Sequence, residues 1–134
     1  MPARHLKRGA RGEEAAARHL AAKGYALKHR NWRHAQLELD IVCMDGPTLV
    51  FVEVKTRDAG GMATPADGLT HAKQERLCRA AAAYLSEHGL WETPCRFDLV
   101  AVTAAEDGFE VEHVPDAFQW SPSLRGGDAS WQPW

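Results

Sequence analysis

The spacing of apolar residues along the chain predicts two helices and five strands. Residues 12–23, GEEAAARHLAAK, are alanine-rich, and Gly24 is positioned to end a helix there. Glu13, Ala16, Ala17 and Leu20 fall at i, i+3, i+4 and i+7, the inward stripe of that helix, whereas Glu14 stands four residues before Arg18 on the outer side. Tyr25 to Trp32 alternates as a first strand, followed by a polar link from Arg33 to Gln36. Two apolar runs, LDIV and TLVFVEV, flank Asp45-Gly46, a strong hairpin signal. Thr70 is suited to cap a long helix from His71 to His88, stopped by Gly89, with Leu77, Ala80, Ala81, Tyr84 and Leu85 as its apolar stripe. Arg96 to Thr103 and Phe109 to Val114 read as two last strands around an Asp107-Gly108 turn.

The hairpin holds the unusual chemistry. Strict alternation puts Leu37, Leu39 and Ile41 on one face of its first strand and Glu38, Asp40 and Val42 on the other. On the second strand Val50, Val52 and Val54 share a face, and Phe51, Glu53 and Lys55 the opposite one. That strand is apolar on both sides except at Glu53 and Lys55, so it is expected to be central and buried. An acid and an amine at the end of such a strand are costly to bury without a partner or a task. Asp40 on the neighbouring strand is within reach of both, and Glu13, on the core face of the first helix, is a candidate third acid. The residues leave two readings open: carboxylates gathered for a hard divalent cation beside an ammonium, or a buried Glu53–Lys55 or Asp40–Lys55 salt bridge.

Composition narrows the class. The 134 residues, 45% hydrophobic and 25% charged, suit one ordinary globular domain. No apolar run approaches a membrane span, and the N-terminal stretch has charges without the apolar core of a secretory signal. Cys43, Cys78 and Cys95 are odd in number and widely spaced, which points to free thiols in the cytoplasm, and the histidines and cysteines fall into no zinc spacing. The net charge of −2 hides an asymmetry: Arg4, Lys7, Arg8 and Arg11 lie in the first eleven residues without an acid, so the remainder carries −6. The expected organisation is a basic N-terminal arm at 1–11, one domain at 12–118, and a flexible Ser/Gly/Pro-rich tail at 119–134 containing Trp120, Trp131 and Trp134. A loop from Arg57 to Thr70, with Gly60-Gly61 and Thr64-Pro65, is placed to cover the Glu53/Lys55 end.

Asp40 followed by Glu53-Val54-Lys55 resembles the Asp…(Asp/Glu)-x-Lys signature of the restriction-endonuclease-like superfamily. The wider set GEEAAARHLAAKGY, NWR, LELDIV, LVFVEVKTR, THAKQERLCRAAAAYL and RFDLVAV, in this order, is similar to the YraN-like family of small bacterial proteins, over about Gly12 to Phe118. The resemblance implies an α/β fold: a restriction-endonuclease-like mixed sheet flanked by helices, in the order αβββαββ. It also implies a Mg²⁺- or Mn²⁺-dependent nuclease, with Asp40, Glu53 and Glu13 at the metal and Lys55 completing the catalytic set. Lys73, Arg57 and Arg33 are the implied phosphate contacts. Arg96 and Asp98 also fall on family positions; an ion pair between them is the default expectation and a supporting role at the site the alternative. One departure is Leu37, where the family commonly has glycine. Nucleic acid is the expected partner, DNA before RNA, and cutting both strands of a duplex would call for a homodimer. Two other classes stand beside the nuclease: a nucleic-acid-binding module that does not turn over, and a structural protein with a buried Glu53–Lys55 pair.

Overall fold

A computed structural model describes residues 2–58 and 69–120, and of residues 2–8 the backbone alone. The order is α1 (Pro2–Ala22), β1 (Ala26–His34), β2 (Leu37–Asp45), β3 (Thr48–Arg57), α2 (His71–His88), β4 (Cys95–Ala105) and β5 (Gly108–Phe118). The five strands form one sheet in the order β1-β2-β3-β4-β5, with β3 in the middle. β3 and β4 run parallel, and the other neighbours are antiparallel. Only the β3–β4 connection has to cross over, and α2 makes that crossing, as parallel pairing requires. The architecture is the expected αβββαββ sheet with its restriction-endonuclease-like order.

Each face of the sheet takes one helix. Ala16, Ala17 and Leu20 of α1 pack on Ile41, Cys43, Val50, Val52, Val100 and Val102. Leu77, Cys78, Ala80, Ala81, Tyr84 and Leu85 of α2 pack on Leu39, Val42, Leu49, Phe51, Phe97 and Leu99. The α2 stripe read from spacing is the buried face, and its caps are those expected. Thr70 accepts from the Lys73 backbone N–H, and Gly89 is left-handed at φ 64°. Gly12 lets α1 lie directly on β3, because a Cβ there would collide with the Thr56 side chain. That close approach draws Glu13 toward the end of β3 that carries Glu53 and Lys55.

Several expectations need correcting. Helix α1 starts at Pro2 rather than at residue 12, so the basic stretch is continuous with it. The Arg33–Gln36 link shrinks to a two-residue Ala35-Gln36 turn, with Arg33 and His34 inside β1. Strict alternation fails in β2: Leu37 and Leu39 join the α2-side core, whereas Ile41 joins the α1-side core. The cause is a paired irregularity. Asn31, opposite Asp40 in the register, has a positive φ of 54°. His29 and Trp32, three residues apart, both contact Tyr84 on the same face, so β1 breaks phase where β2 does. The covering loop falls largely on residues 59–68, and Trp131 and Trp134 on residues 121–134; both lie outside the described residues.

Candidate metal and phosphate site

Beyond the Ile41–Val52 pair, β2 and β3 no longer exchange ladder bonds, and the Asp40 side chain takes over. Its Oδ2 accepts the Val54 backbone N–H at 2.8 Å. Asp40 is thereby fixed by main chain at the point where the two strands diverge. Burial, and then the Glu53 carboxylate, push its pKa up to about 8, against the pull of the Val54 hydrogen bond. Glu13 and Glu38 add to the same repulsion. Four carboxylates thus share one field.

Glu13 is half-buried, and its pKa is raised, first by burial and further by Glu38 and Glu53. A hydrogen bond from the Asn31 side chain and the charge of Arg30 pull the other way. Glu14 faces outward, bound by Arg18 at 3.1 Å and Arg30 at 2.8 Å. Glu53 is mostly buried, and its ion-pair partner is Lys73, at 2.9 Å. Lys55 is exposed, and among the described residues it has no ion pair. The buried Glu53–Lys55 salt bridge is therefore corrected: alternation keeps the two on one face, but Lys55 lies where the strand emerges from α2's cover. Reaching back from α2, Lys73 takes the carboxylate.

A cleft of about 200 Å³ opens here, lined by Glu38, Asp40, Glu53, Lys73 and Arg76, among others. Glu13 and Lys55 do not line it. Among the described residues, no three His, Cys, Asp or Glu side chains stand close enough to hold a metal ion as they are. Arg33 sits at the rim, 3.8 Å from Glu38, and the Arg57 Nε donates to Thr103 at 3.2 Å. Three residues of this region were given no site role by the sequence: Glu38, although it was placed on the face of Asp40, and Asn31 and Arg76. Arg76 follows Lys73 by three on α2, a spacing that puts both on one helix face. Nothing in the sequence marks Asn31's backbone.

Arg96 and Asp98 form a separate network toward the hairpin turn. Asp98 is almost wholly buried. It accepts from Arg96 at 2.9 Å, from His113 at 2.7 Å and from the Asp116 backbone N–H at 2.9 Å. Burial raises its pKa, but these hydrogen bonds outweigh burial and hold it below the ordinary carboxylate value. Arg96 also donates to Asp45 and to the Tyr25 hydroxyl. Every strong group is satisfied, so the network ties β4 and β5 to the β2–β3 turn and does not reach Glu53. Trp120 docks on Phe97 and donates to Cys95 Sγ at 3.3 Å.

The fold and this acidic cleft define a restriction-endonuclease-like α/β domain. The model of the Uncharacterised protein family UPF0102 matches residues 12–102. The chain belongs to that family, the YraN-like family of the sequence comparison. It is 52% identical to a UPF0102 protein of Nitratidesulfovibrio vulgaris (strain DP4), over all of this chain and 99% of the relative. A UPF0102 protein of Oleidesulfovibrio alaskensis is 38% identical over 97% and 94%. One from Chlorobaculum tepidum is 47% identical over 82% and 90%. Among the described residues, no helix is long and apolar enough to cross a membrane.

Proposed function

We propose that the protein is a Mg²⁺- or Mn²⁺-dependent nuclease hydrolysing phosphodiester bonds in nucleic acid, DNA before RNA. One observation carries this reading: Asp40, anchored on the Val54 N–H, is pushed up to about 8 beside Glu53 in a cleft that also presents Lys73 and Arg76. Burial first, and the neighbouring carboxylates after it, raise Asp40, and a positive charge placed among them would relieve both. The donor set fits a hard cation. Mg²⁺ is commonly held by one or two carboxylates, with water and substrate oxygens filling its octahedron, so Asp40 and Glu53 suffice without a closed cage.

When bound, the cation would polarise a phosphate oxygen and acidify a water. Asp40 and Glu53 would hold it, and Glu13, steadied by Asn31, would extend the acidic wall through water. Exposed at the end of β3, Lys55 would reach the phosphate and offset charge developing on phosphorus. Lys73, Arg57 and Arg33 would bind flanking phosphates. Cleavage of both strands of a duplex would require a homodimer, and the buried thiols suit the cytoplasm.

A non-catalytic nucleic-acid-binding module is the second reading, favoured by the engagement of Glu53 with Lys73. A Mn²⁺ titration against branched and single-stranded DNA and RNA separates the two. Metal-dependent cleavage lost in Asp40→Asn supports the nuclease. No cleavage of any substrate, with a melting temperature indifferent to Mg²⁺ and Mn²⁺, refutes it.

A further inference from the structure

The ammonium of Lys73 raises a question about how the cleft changes when it is loaded. Lys73 sits in the first turn of α2, where the helix dipole disfavours a cation. Its backbone N–H is already used by the Thr70 cap at 3.2 Å, so the cap fixes the main chain while the side chain stays free to choose a partner. The partner it has is Glu53, at 2.9 Å, with the carboxylate side chain only 12% exposed. Asp40 and Glu38 line the same small cleft. The one positive charge in contact with Glu53 among the described residues is therefore this ammonium, and it sits on an oxygen that a divalent cation would need.

We propose that Lys73 is a resident counter-ion: its ammonium satisfies Glu53 while the cleft is empty, competes with the divalent cation for that carboxylate, and on displacement is handed to a substrate phosphate. This rests on the metal-dependent reading above and adds a sequence of partners for one side chain. No bond is made or broken; Lys73 exchanges a carboxylate for a phosphate oxygen, both acceptors that suit an ammonium point charge. The exchange makes metal and phosphate binding mutually favourable, because each removes the obstacle to the other. It also gives Lys73 a different task from Lys55. Lys55 is exposed and has no ion pair among the described residues, so on this reading its charge is available to a phosphate whether or not metal is present.

The competition has a sign that an ordinary phosphate-binding lysine would not give: removing the positive charge should tighten metal binding. Mn²⁺ affinity is read by electron paramagnetic resonance of free Mn²⁺, with no substrate, on the full chain, for the parent, Lys73→Met and Lys73→Arg. Circular dichroism shows that each is folded. Lys73→Met should bind Mn²⁺ about tenfold more tightly than the parent, within the usual range of site-to-site coupling, while Lys73→Arg stays near the parent. A second titration uses a single-stranded oligonucleotide with and without Ca²⁺. Ca²⁺ should strengthen oligonucleotide binding more in the parent than in Lys73→Met. Equal or weaker Mn²⁺ binding by Lys73→Met, with the parent binding measurably, overturns the counter-ion role and leaves the metal site standing. An equal Ca²⁺ effect in the two proteins overturns the handover. Absence of Mn²⁺ binding in parent and variants alike overturns the metal-dependent reading itself, and the counter-ion role with it.

Discussion

Asp40→Asn tests the electrostatics of the site without any substrate. The folded protein raises the Asp40 pKa from 3.8 to about 8. The folded state therefore binds the proton that the unfolded chain has already released across that interval. The contribution is fully present below the unfolded value and lost as pH rises through the folded one, so stability falls with pH from about 4 to about 8. One unbalanced proton corresponds to a slope of about 1.4 kcal/mol per pH unit, so pH 5 to 7 gives an upper bound of about 3 kcal/mol. Water reaching the cleft lowers this to about 2 kcal/mol, or roughly 5–10 °C in melting temperature. Asparagine keeps the shape, and its amide oxygen can still accept the Val54 N–H. Urea denaturation in a chelator, across pH 5 to 8, should show the parent losing stability steadily. Asp40→Asn should be flatter and more stable than the parent at pH 8. Millimolar Mg²⁺ should restore the parent at pH 8 and leave Asp40→Asn nearly unchanged. Parallel profiles for the two proteins would refute the claim that Asp40 is buried against its own charge.

Other substitutions test the remaining parts. Lys55→Ala should cost under about 0.5 kcal/mol in denaturant, because the side chain is exposed, while metal-dependent cleavage falls roughly 10²-fold. Asp98→Ala should cost about 3–5 kcal/mol by leaving the Arg96 charge and the His113 ring without their acceptor, and the melting temperature reports it directly. Gly12→Ala gains helix propensity but must push α1 away from Thr56. A net loss of about 1 kcal/mol is expected, with weaker Mn²⁺ binding as Glu13 moves off. Replacing Arg4, Lys7, Arg8 and Arg11 by Gln should flatten the salt dependence of DNA binding by at most about 0.9 per lost phosphate contact.

Much of the fold was legible because most of it is written in two periodicities. The α2 stripe, its Thr70 and Gly89 caps, the central β3 and the αβββαββ order all follow from local spacing and turn residues. The site was legible only in its inventory. Alternation named Asp40, Glu53 and Lys55, but it assumed that β2 keeps phase, and β2 loses phase beside Asp40. The break arises between strands, from Asn31 at a positive φ, and a single-strand pattern cannot register it. Of the two readings open for Glu53, the salt bridge named Lys55 from two residues of separation, whereas the crossover helix delivers Lys73 from twenty residues further on. The Asp98 network was half visible, since Arg96 is adjacent on the strand, but His113 arrives through the β5 pairing.

Buried Asp98 and half-buried Asp40 pull the pH profile in opposite directions, and that contrast bears on what each is for. Asp98 collects three hydrogen bonds, its pKa is lowered, and its contribution is lost only as pH falls below the ordinary carboxylate range. Asp40 has one backbone donor, and its burial and then Glu53, Glu13 and Glu38 raise its pKa, so its contribution is lost as pH rises toward neutrality. Near neutral pH the first arrangement strengthens the fold and the second weakens it. A weakening group needs a reason to be where it is, and bulk packing offers none, because asparagine would fill the same space and keep the Val54 bond. What aspartate adds over asparagine is an ionisable carboxyl. Lys73 offsets part of the acidic charge around it through Glu53, yet Asp40 remains raised with that ion pair in place. Burial and the neighbouring carboxylates thus keep Asp40 raised even beside Lys73 and Arg76, and on the proposed reading a divalent cation would supply the charge that lets it ionise. Filling the cleft with that cation should release the Asp40 proton near neutral pH, so Mn²⁺ binding measured calorimetrically in buffers of different ionisation enthalpy should show proton release. Binding with no proton release at pH 7 would mean that Asp40 is already ionised there and would remove the electrostatic case for the site.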